Sequence, residues 1–354
     1  MLGGDDPLKS IMDMDYEDLK REITENLGWE RYRADQIADW IYNKHVLDFS
    51  KMTNLSKEYR KTLSENYYTD LLELVDKQIS KIDRTTKYLW KLRDGNTIES
   101  VLIFYPNRVS ACISTQVGCP VGCKFCATGM SGFVRNLSTG EIVSQILHME
   151  MEAKLRIGNV VFMGMGEPFL NYENVIKSIK IINHQKMIRI GIRHITVSTV
   201  GIPDKIVSFA KDGMNARLAL SLHAAYNHKR DFLVPINVKY PIEEIIQAAK
   251  EYQRITNNRV SIEYIMIREF NDYDSDAEKL VEVLKGLKVF VNLIPVNPVV
   301  KDFQRPSRRR IEAFKKILES HGIEVEVRTE KGTDIDAACG QLRIRNKQLK
   351  RAFK

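Results

Sequence analysis

No apolar run in this chain of 354 residues approaches the ~20 residues that a membrane span requires. The opening MLGGDDPLKS lacks the basic and apolar regions of a secretory signal, so the chain is expected to stay in the cytoplasm. Cysteine is scarce, five in all. In that compartment a few thiols serve more readily as ligands or redox catalysts than as structural disulfides. The first ~75 residues lack the alternation of strands, and the last twelve, RIRNKQLKRAFK, contain no acid.

What is present belongs to a globular chain: 44% hydrophobic and 28% charged residues, with length enough for one large α/β domain plus an appendage, or two domains. The net charge is +8, with a pI near 9.0. Arg305, Arg308, Arg309 and Arg310 cluster before one helix, and the terminal run holds six Lys or Arg. Such a balance favours a polyanionic partner through phosphate contacts. A solvated helix and a frayed terminus account for it equally well, and charge alone does not separate RNA from DNA or a membrane surface.

Residues 1–75 read as a small helical accessory module with possible RNA binding. One helix covers 16–26 with Leu19 and Ile23 on a face, a second covers 33–44 with Ile37, Trp40 and Ile41, and Ser56 caps a third. Residues 76–108 form a short β-rich connecting segment with a hairpin turn at Asp94–Gly95. From 109 to 342 strands and helices alternate. The helix after the cysteine loop opens with Ser138 and Glu141 in capping-box spacing, and Pro203 and Pro241 occupy first-turn positions. Repeated βα units imply an α/β fold with a parallel sheet, either doubly wound or a barrel. The barrel is favoured because the polar motifs fall just past successive strand ends, where one rim would collect them. Its strands are expected to be apolar on both faces. Residues 343–354 are a basic tail.

The run GCPVGCKFCATG spaces Cys119, Cys123 and Cys126 by three residues and then two. Zinc knuckles use paired C-x2-C or C-x4-C spacings and four ligands, which this run does not supply. Three thiolates on a short loop can instead hold a cubane iron–sulfur cluster and leave one iron without a protein ligand. With Phe125 before the third cysteine, C-x3-C-x2-C is the signature of radical S-adenosylmethionine (SAM) enzymes. Gly166 and Glu167 lie in GMGEP, where glycines allow close approach and the acid suits an ammonium group. Ser198, Ser221 and His223 suit a ribose or carboxylate, and Asn297 an adenine or ribose. His223 could equally be a satisfied buried residue, and Asn297 part of a plain strand exit. Cys112 and Cys339 remain, either as small buried hydrophobes or as an adduct-forming thiol and the thiol that resolves it.

Together STQVGCPVGCKFCATGMSGFVRNL, FMGMGEP, STVGIP, LSLHA, PIN–KYPI, LIPVNP and DIDAACGQLR stand in an order that resembles the RlmN/Cfr family of radical-SAM RNA methyltransferases, over about residues 15 to 342. The segment from Tyr32 to Leu63 and the GMSGFVRNL run resemble the RlmN branch more than the Cfr branch. The resemblance implies a partial (β/α)6 barrel with a small N-terminal helical domain and a short β extension. It implies methylation of C2 of an adenine in 23S rRNA at the peptidyl transferase centre and in some tRNAs beside the anticodon. It assigns a 4Fe-4S cluster to Cys119, Cys123 and Cys126, and SAM to Gly166, Glu167, Ser198, Ser221, Leu222, His223 and Asn297. Cys339 is then the S-methylated cysteine, Cys112 its disulfide partner, and Glu99 the proton acceptor. A 5′-deoxyadenosyl radical would take a hydrogen from the new methyl group. That route suits an electron-poor carbon with no lone pair to attack a sulfonium. An electron donor such as flavodoxin or ferredoxin, and a monomeric state, complete the expectation. Two other readings stand beside it: a Cfr-type enzyme acting at C8, and a non-catalytic iron–sulfur or zinc protein that binds nucleic acid.

Overall fold

The computed structural model describes residues 8–69, 72–297, 303–329 and 331–335. Strand β1 (Lys9–Ser10) pairs in parallel with β2 (Tyr67–Tyr68), and between them lie helices α1 (Tyr16–Arg21), α2 (Tyr32–Ala38) and α3 (Lys57–Asn66). The side chains of Asp15 and Ser56 cap α1 and α3 by accepting from Asp18 N and Tyr59 N. The first two helices relax into π-helical turns at Glu22–Asn26 and Asp39–Asn43, so the expected helical spans are present with altered last turns. Leu19, Ile23, Ile37 and Ile41 are buried as expected. Trp40 is only half-buried and donates its ring N–H to Asn54 Oδ1.

Strands β3 (Glu73–Ile79), β4 (Thr86–Lys91), β5 (Thr97–Tyr105) and β6 (Arg108–Cys112) form an antiparallel meander, with the expected turn between β4 and β5. Next come β7 (Gln116–Gly118), helix α4 (Ala127–Met130) and β8 (Phe133–Asn136), the two strands closing the cysteine loop as an antiparallel pair. The alternating part follows: α5 (Thr139–Ala153), β9 (Asn159–Phe162), α6 (Tyr172–Asn183), β10 (Ile195–Thr199), α7 (Pro203–Lys211) and β11 (Arg217–Ser221). Helices α8 (Asn227–Leu233) and α9 (Ile242–Thr256) lead to β12 (Val260–Met266), α10 (Asp274–Val283), β13 (Val289–Pro295), α11 (Arg308–Ser320) and β14 (Glu324–Val327).

All strands from β3 to β6 and β9 to β14 belong to one ten-stranded sheet, ordered β14-β13-β12-β11-β10-β9-β6-β5-β4-β3. Within this sheet every pairing from β6 through β9 to β14 is parallel, and from β9 onward each strand lies beside its sequence neighbour. A doubly wound sheet reverses its strand order midway; this one never does, which leaves the partial barrel. Right-handed crossovers taken in one direction put the helices on one face of the sheet. The meander extends the same sheet rather than standing apart from it.

Alternation then divides the strands. Ala111, Val160, Phe162, Val197, Leu218, Leu220, Ile262, Tyr264, Val291 and Leu293 are buried in the main core. That core lies under the helices, Tyr264 meeting Phe314 of α11 at a ring-centroid distance of 5.3 Å. The opposite, concave face carries Cys112, Ser198, Ser221, Glu263 and Asn292, which corrects the expectation of strands apolar on both sides. A barrel left open need not fill its interior with packed side chains, so polar groups can line it. The N-terminal helices lie outside, where Gly140 N donates to Asp13 Oδ1 at 2.6 Å and Lys177 pairs with Asp18 at 2.5 Å.

Two local signals stand where the sequence places them and a third is displaced by a residue. Ser138 and Glu141 form a reciprocal capping box on α5, and Pro203 is the first residue of α7. Pro241 is the N-cap of α9, with extended backbone (ψ 160°), one position earlier than expected. The capping box gives a direct stability prediction. Ser138→Ala should lower unfolding free energy by ~1 kcal/mol with an unchanged urea m-value; no loss would show that the Arg135–Glu141 ion pair (2.7 Å) holds this helix end without it.

Candidate active site

Strand β6 ends at Cys112, and the chain then climbs through Ile113 to Gly118 into the cysteine loop. Gly118 (φ +77°) is required there, because a Cβ on it would stand 1.9 Å from the carbonyl oxygen of Gly132 across the hairpin. Cys119 N donates to that same oxygen at 3.0 Å, and Lys124 N donates to Leu233 O at 3.0 Å, tying the loop to the end of α8. Arg135 buttresses the hairpin by bonding both Asp94 and Glu141.

The three thiols pack with Phe125 into a small apolar cluster that includes Val200, Leu233, Val234 and Ile265, separate from the main core. Burial pushes the Cys119 thiol up to about 12. It pushes Cys123 well above the usual range, where charge on Cys126 and Cys119 adds to the effect and Arg230 opposes it. Two desolvated thiols beside a third repel one another as thiolates, and iron in a cluster supplies the cationic partner that such a set needs. Among the described residues no three His, Cys, Asp or Glu side chains converge on a single metal ion. A cubane binds each thiolate to a different iron, so it needs no such convergence. The donor set therefore fits the cluster.

The glycine turn lies directly on the segment before the cysteines. Thr115 N and Gln116 N both donate to Met165 O, and Glu167 N donates to Gln116 Oε1 at 2.9 Å. Gly166 (φ +104°) would bring a Cβ within 2.7 Å of the Gln116 side chain. Glu167 is 3% exposed, and its carboxylate accepts from Phe169 N at 3.0 Å and from Val200 N at 2.8 Å. Burial raises it to about 7 against those hydrogen bonds and the charge of Arg230. It is thus a structural brace between the ends of β9 and β10 as well as a carboxylate beside the thiols.

Ser198 and Ser221, on neighbouring strands, stand Oγ to Oγ at 3.1 Å. His223 has left-handed backbone (φ 63°), and its Nδ1 accepts from Ile265 N at 3.2 Å. That bond fixes the tautomer with the proton on Nε2. The ring meets Phe125 edge-on at 4.7 Å, so the aromatic residue of the cysteine motif seats the histidine. Leu222 turns into the main core, its N–H on Glu263 O and its carbonyl on Arg230, so its side chain does not join its two neighbours. Asn297 stands exposed two residues beyond β13. Glu99, on β5, is buried (3% exposed) rather than solvated. The register Val101↔Cys112 puts Glu99 and Cys112 on one face of adjacent strands. Burial pushes the Cys112 thiol up to about 11, and the charge of Arg328 pulls it down. The described cysteines are unbridged thiols; Cys339 and the basic tail lie outside the described residues.

Sequence reasoning missed Arg230. On α8, wholly buried, it donates to Leu222 O at 2.9 Å, Ser221 O at 3.2 Å, Asn237 Oδ1 at 2.6 Å and the Val200 carbonyl. One guanidinium fork thus fixes the ends of β10 and β11, the strands that carry the serine pair. Burial lowers its pKa to about 10, opposed by Cys123, Asp231 and Glu167. The PIN run, which contains Asn237, was its one trace in the sequence.

A cluster loop after the first parallel strand, a glycine–glutamate turn after the second and hydroxyl-bearing ends on the next two define a radical-SAM enzyme. The Radical SAM superfamily profile matches residues 113–284, and the profile of the ribosomal RNA large subunit methyltransferase N-terminal domain matches 9–68. Over 338 residues, 96% of this chain, it is 64% identical to a probable dual-specificity RNA methyltransferase RlmN of Thermosipho melanesiensis, covering 99% of that protein. A protein of the same name from Thermotoga maritima is also 64% identical over 338 residues, 96% of this chain and 98% of its own length. The crystal structure of a radical SAM methyltransferase from Sphaerobacter thermophilus superposes with a TM-score of 0.90 at 42% identity, covering 95% of this chain and 99% of that one. The chain belongs to the RlmN family of radical-SAM RNA methyltransferases, whose cofactors are a 4Fe-4S cluster and SAM. Among the described residues no helix is long and apolar enough to cross a membrane.

Burial, with Arg230 adding to it, lowers the His223 pKa from 6.5 to about 3. Between those values the unfolded chain binds the proton and the folded chain does not, so this group's contribution to stability falls as pH drops from 6.5 toward 3. The His223 ring resonances should stay at neutral-imidazole positions on NMR titration down to about pH 5, whereas an ordinary histidine titrates near 6.5. A midpoint near that ordinary value would contradict the buried, Nδ1-accepting ring.

Proposed function

We propose that this RNA methyltransferase places a methyl group on C2 of adenine, in 23S rRNA at the peptidyl transferase centre and in some tRNAs on the adenine 3′ of the anticodon. The observation that carries the reading is the 64% identity, along nearly the whole chain, to relatives named dual-specificity RNA methyltransferase RlmN.

In this reading Cys119, Cys123 and Cys126 hold the cluster through three of its irons. Gly166, Glu167, Ser198, Ser221, His223 and Asn297 line the SAM site, with Leu222 spacing the serine from the histidine. The cluster, when bound, supplies the electron that cleaves SAM to a 5′-deoxyadenosyl radical. The chain's own residues do the rest. Cys339 carries the methyl group to the base as a thioether, so that C2 never has to attack a sulfonium. Glu99 takes the C2 proton. With the base joined to Cys339 through the methylene carbon and the one surplus electron of the radical addition passed to the redox partner, the Cys112 thiolate attacks the sulfur of Cys339; the S–S bond forms as the S–CH2 bond breaks, and the methylene carbon keeps the electron pair and takes a proton to become the methyl group of the departing base. Supporting these roles, Glu99 and Cys112 share the concave face. An acidic redox protein such as flavodoxin or ferredoxin would deliver the electron. A cytoplasmic monomer suits a site that must admit folded RNA.

Anaerobic reconstitution followed by turnover with protein-free 23S RNA should yield 5′-deoxyadenosine and 2-methyladenine, resolved by mass spectrometry of RNA fragments. A methyl group at C8 would support the Cfr-type chemistry instead. Cys339→Ala should abolish RNA methylation while leaving the iron content unchanged; methylation retained in that variant would refute the adduct role.

A further inference from the structure

The mechanism leaves one part of the concave wall without a task. Glu263, in the middle of β12, is 5% exposed, and its Oε1 accepts from Asn292 Nδ2 on β13 at 2.8 Å. The register sets Ser221 beside Glu263 and Glu263 beside Asn292, with Ile262, Tyr264, Val291 and Leu293 pointing the other way into the core. The two side chains therefore continue the wall on which Ser198 and Ser221 stand. Burial raises the Glu263 carboxyl above its ordinary value, opposed by the charge of Arg328, just past β14, and by the hydrogen bond from Asn292. A buried carboxyl is costly without a partner and has one here, yet neither member of the pair braces a turn or a helix cap.

We infer that Glu263 and Asn292 form the seat for the exocyclic amino group of the target adenine. The inference rests on reading this chamber as an adenine-methylating site. Asn292 spends an N–H on Glu263, so its Oδ1 and the remaining lone pairs of the carboxylate present acceptors side by side. Two adjacent acceptors select a group with two N–H donors, which adenine carries at C6. Guanine offers a carbonyl oxygen there and would set acceptor against acceptor. C6 and C2 flank N1 on the same edge of the base, so gripping the amino group also fixes C2 inside the chamber where Cys112 and Glu99 lie. A base can enter such a chamber only when turned out of its stack, and the seat compensates part of that cost.

The test compares two synthetic RNA hairpins with the reconstituted full chain under single turnover, one with adenosine at the target and one with purine riboside, which lacks the amino group. The wild type should methylate the adenosine hairpin roughly 5- to 150-fold faster, the range expected for a paired base contact. Glu263→Gln and Asn292→Ala should bring the adenosine rate down toward the purine rate, leave the purine rate unchanged and bind SAM as tightly as the wild type. If the variants keep the wild-type preference, or lose both rates together with SAM affinity, the pair serves the cofactor or the fold and the inference fails. A wild type that methylates neither hairpin overturns the proposed function, and this inference with it.

Discussion

Parallel strands taken up in sequence order must all end on one rim of their sheet. Here that constraint brings Cys119, Glu167, Ser198, Ser221 and His223 together although they span more than a hundred positions of chain. Everything chemical depends on holding that rim rigid, and the protein does so from beneath. Arg230 ties the ends of β10 and β11, Glu167 ties β9 to β10, and the bonds from Thr115 and Gln116 to Met165 tie the cysteine loop to the glycine turn. Each brace joins backbone groups of neighbouring strand ends, which keeps the loops from drifting independently.

The second property of the sheet is its two-sidedness. Ten strands wound without closure leave a concave face that packed side chains do not fill. Hydroxyls, a carboxylate, a carboxamide and a thiol occupy it, while the convex face is apolar and packs under helices. Low dielectric on one side and polar groups on the other are the conditions under which buried thiols and carboxyls shift their acidity, as at Cys112 and Glu167.

Much of this was legible in the chain itself because the signals were local. The cysteine spacing, the βα alternation, the Ser138–Glu141 box and the Asp94–Gly95 turn each sit within a few residues. The misses were nonlocal. Arg230 lies in NHKRDFLVPINVKY, which reads as a charged surface helix; its burial follows from carbonyls of Val200, Ser221 and Leu222 that only the folded sheet brings near. Glu167 looked like a ligand and proved also to be a brace, because its acceptors meet the Val200 N–H on the next strand. Glu263 and Asn292 were polar residues inside otherwise largely apolar strands. That interruption was the available signal, and it gained meaning only from the register that pairs them. The short pairing of Lys9–Ser10 with Tyr67–Tyr68 had no alternation to announce it.

The central claim is that three thiolates on the loop after β6 leave one iron of the cluster for SAM. Mössbauer spectra of the anaerobically reconstituted, iron-57-labelled chain test it most directly. The account predicts a single iron subsite whose isomer shift changes when SAM is added, with the other irons unaltered. Zinc in place of iron, or a cluster whose spectrum is indifferent to SAM, would contradict it.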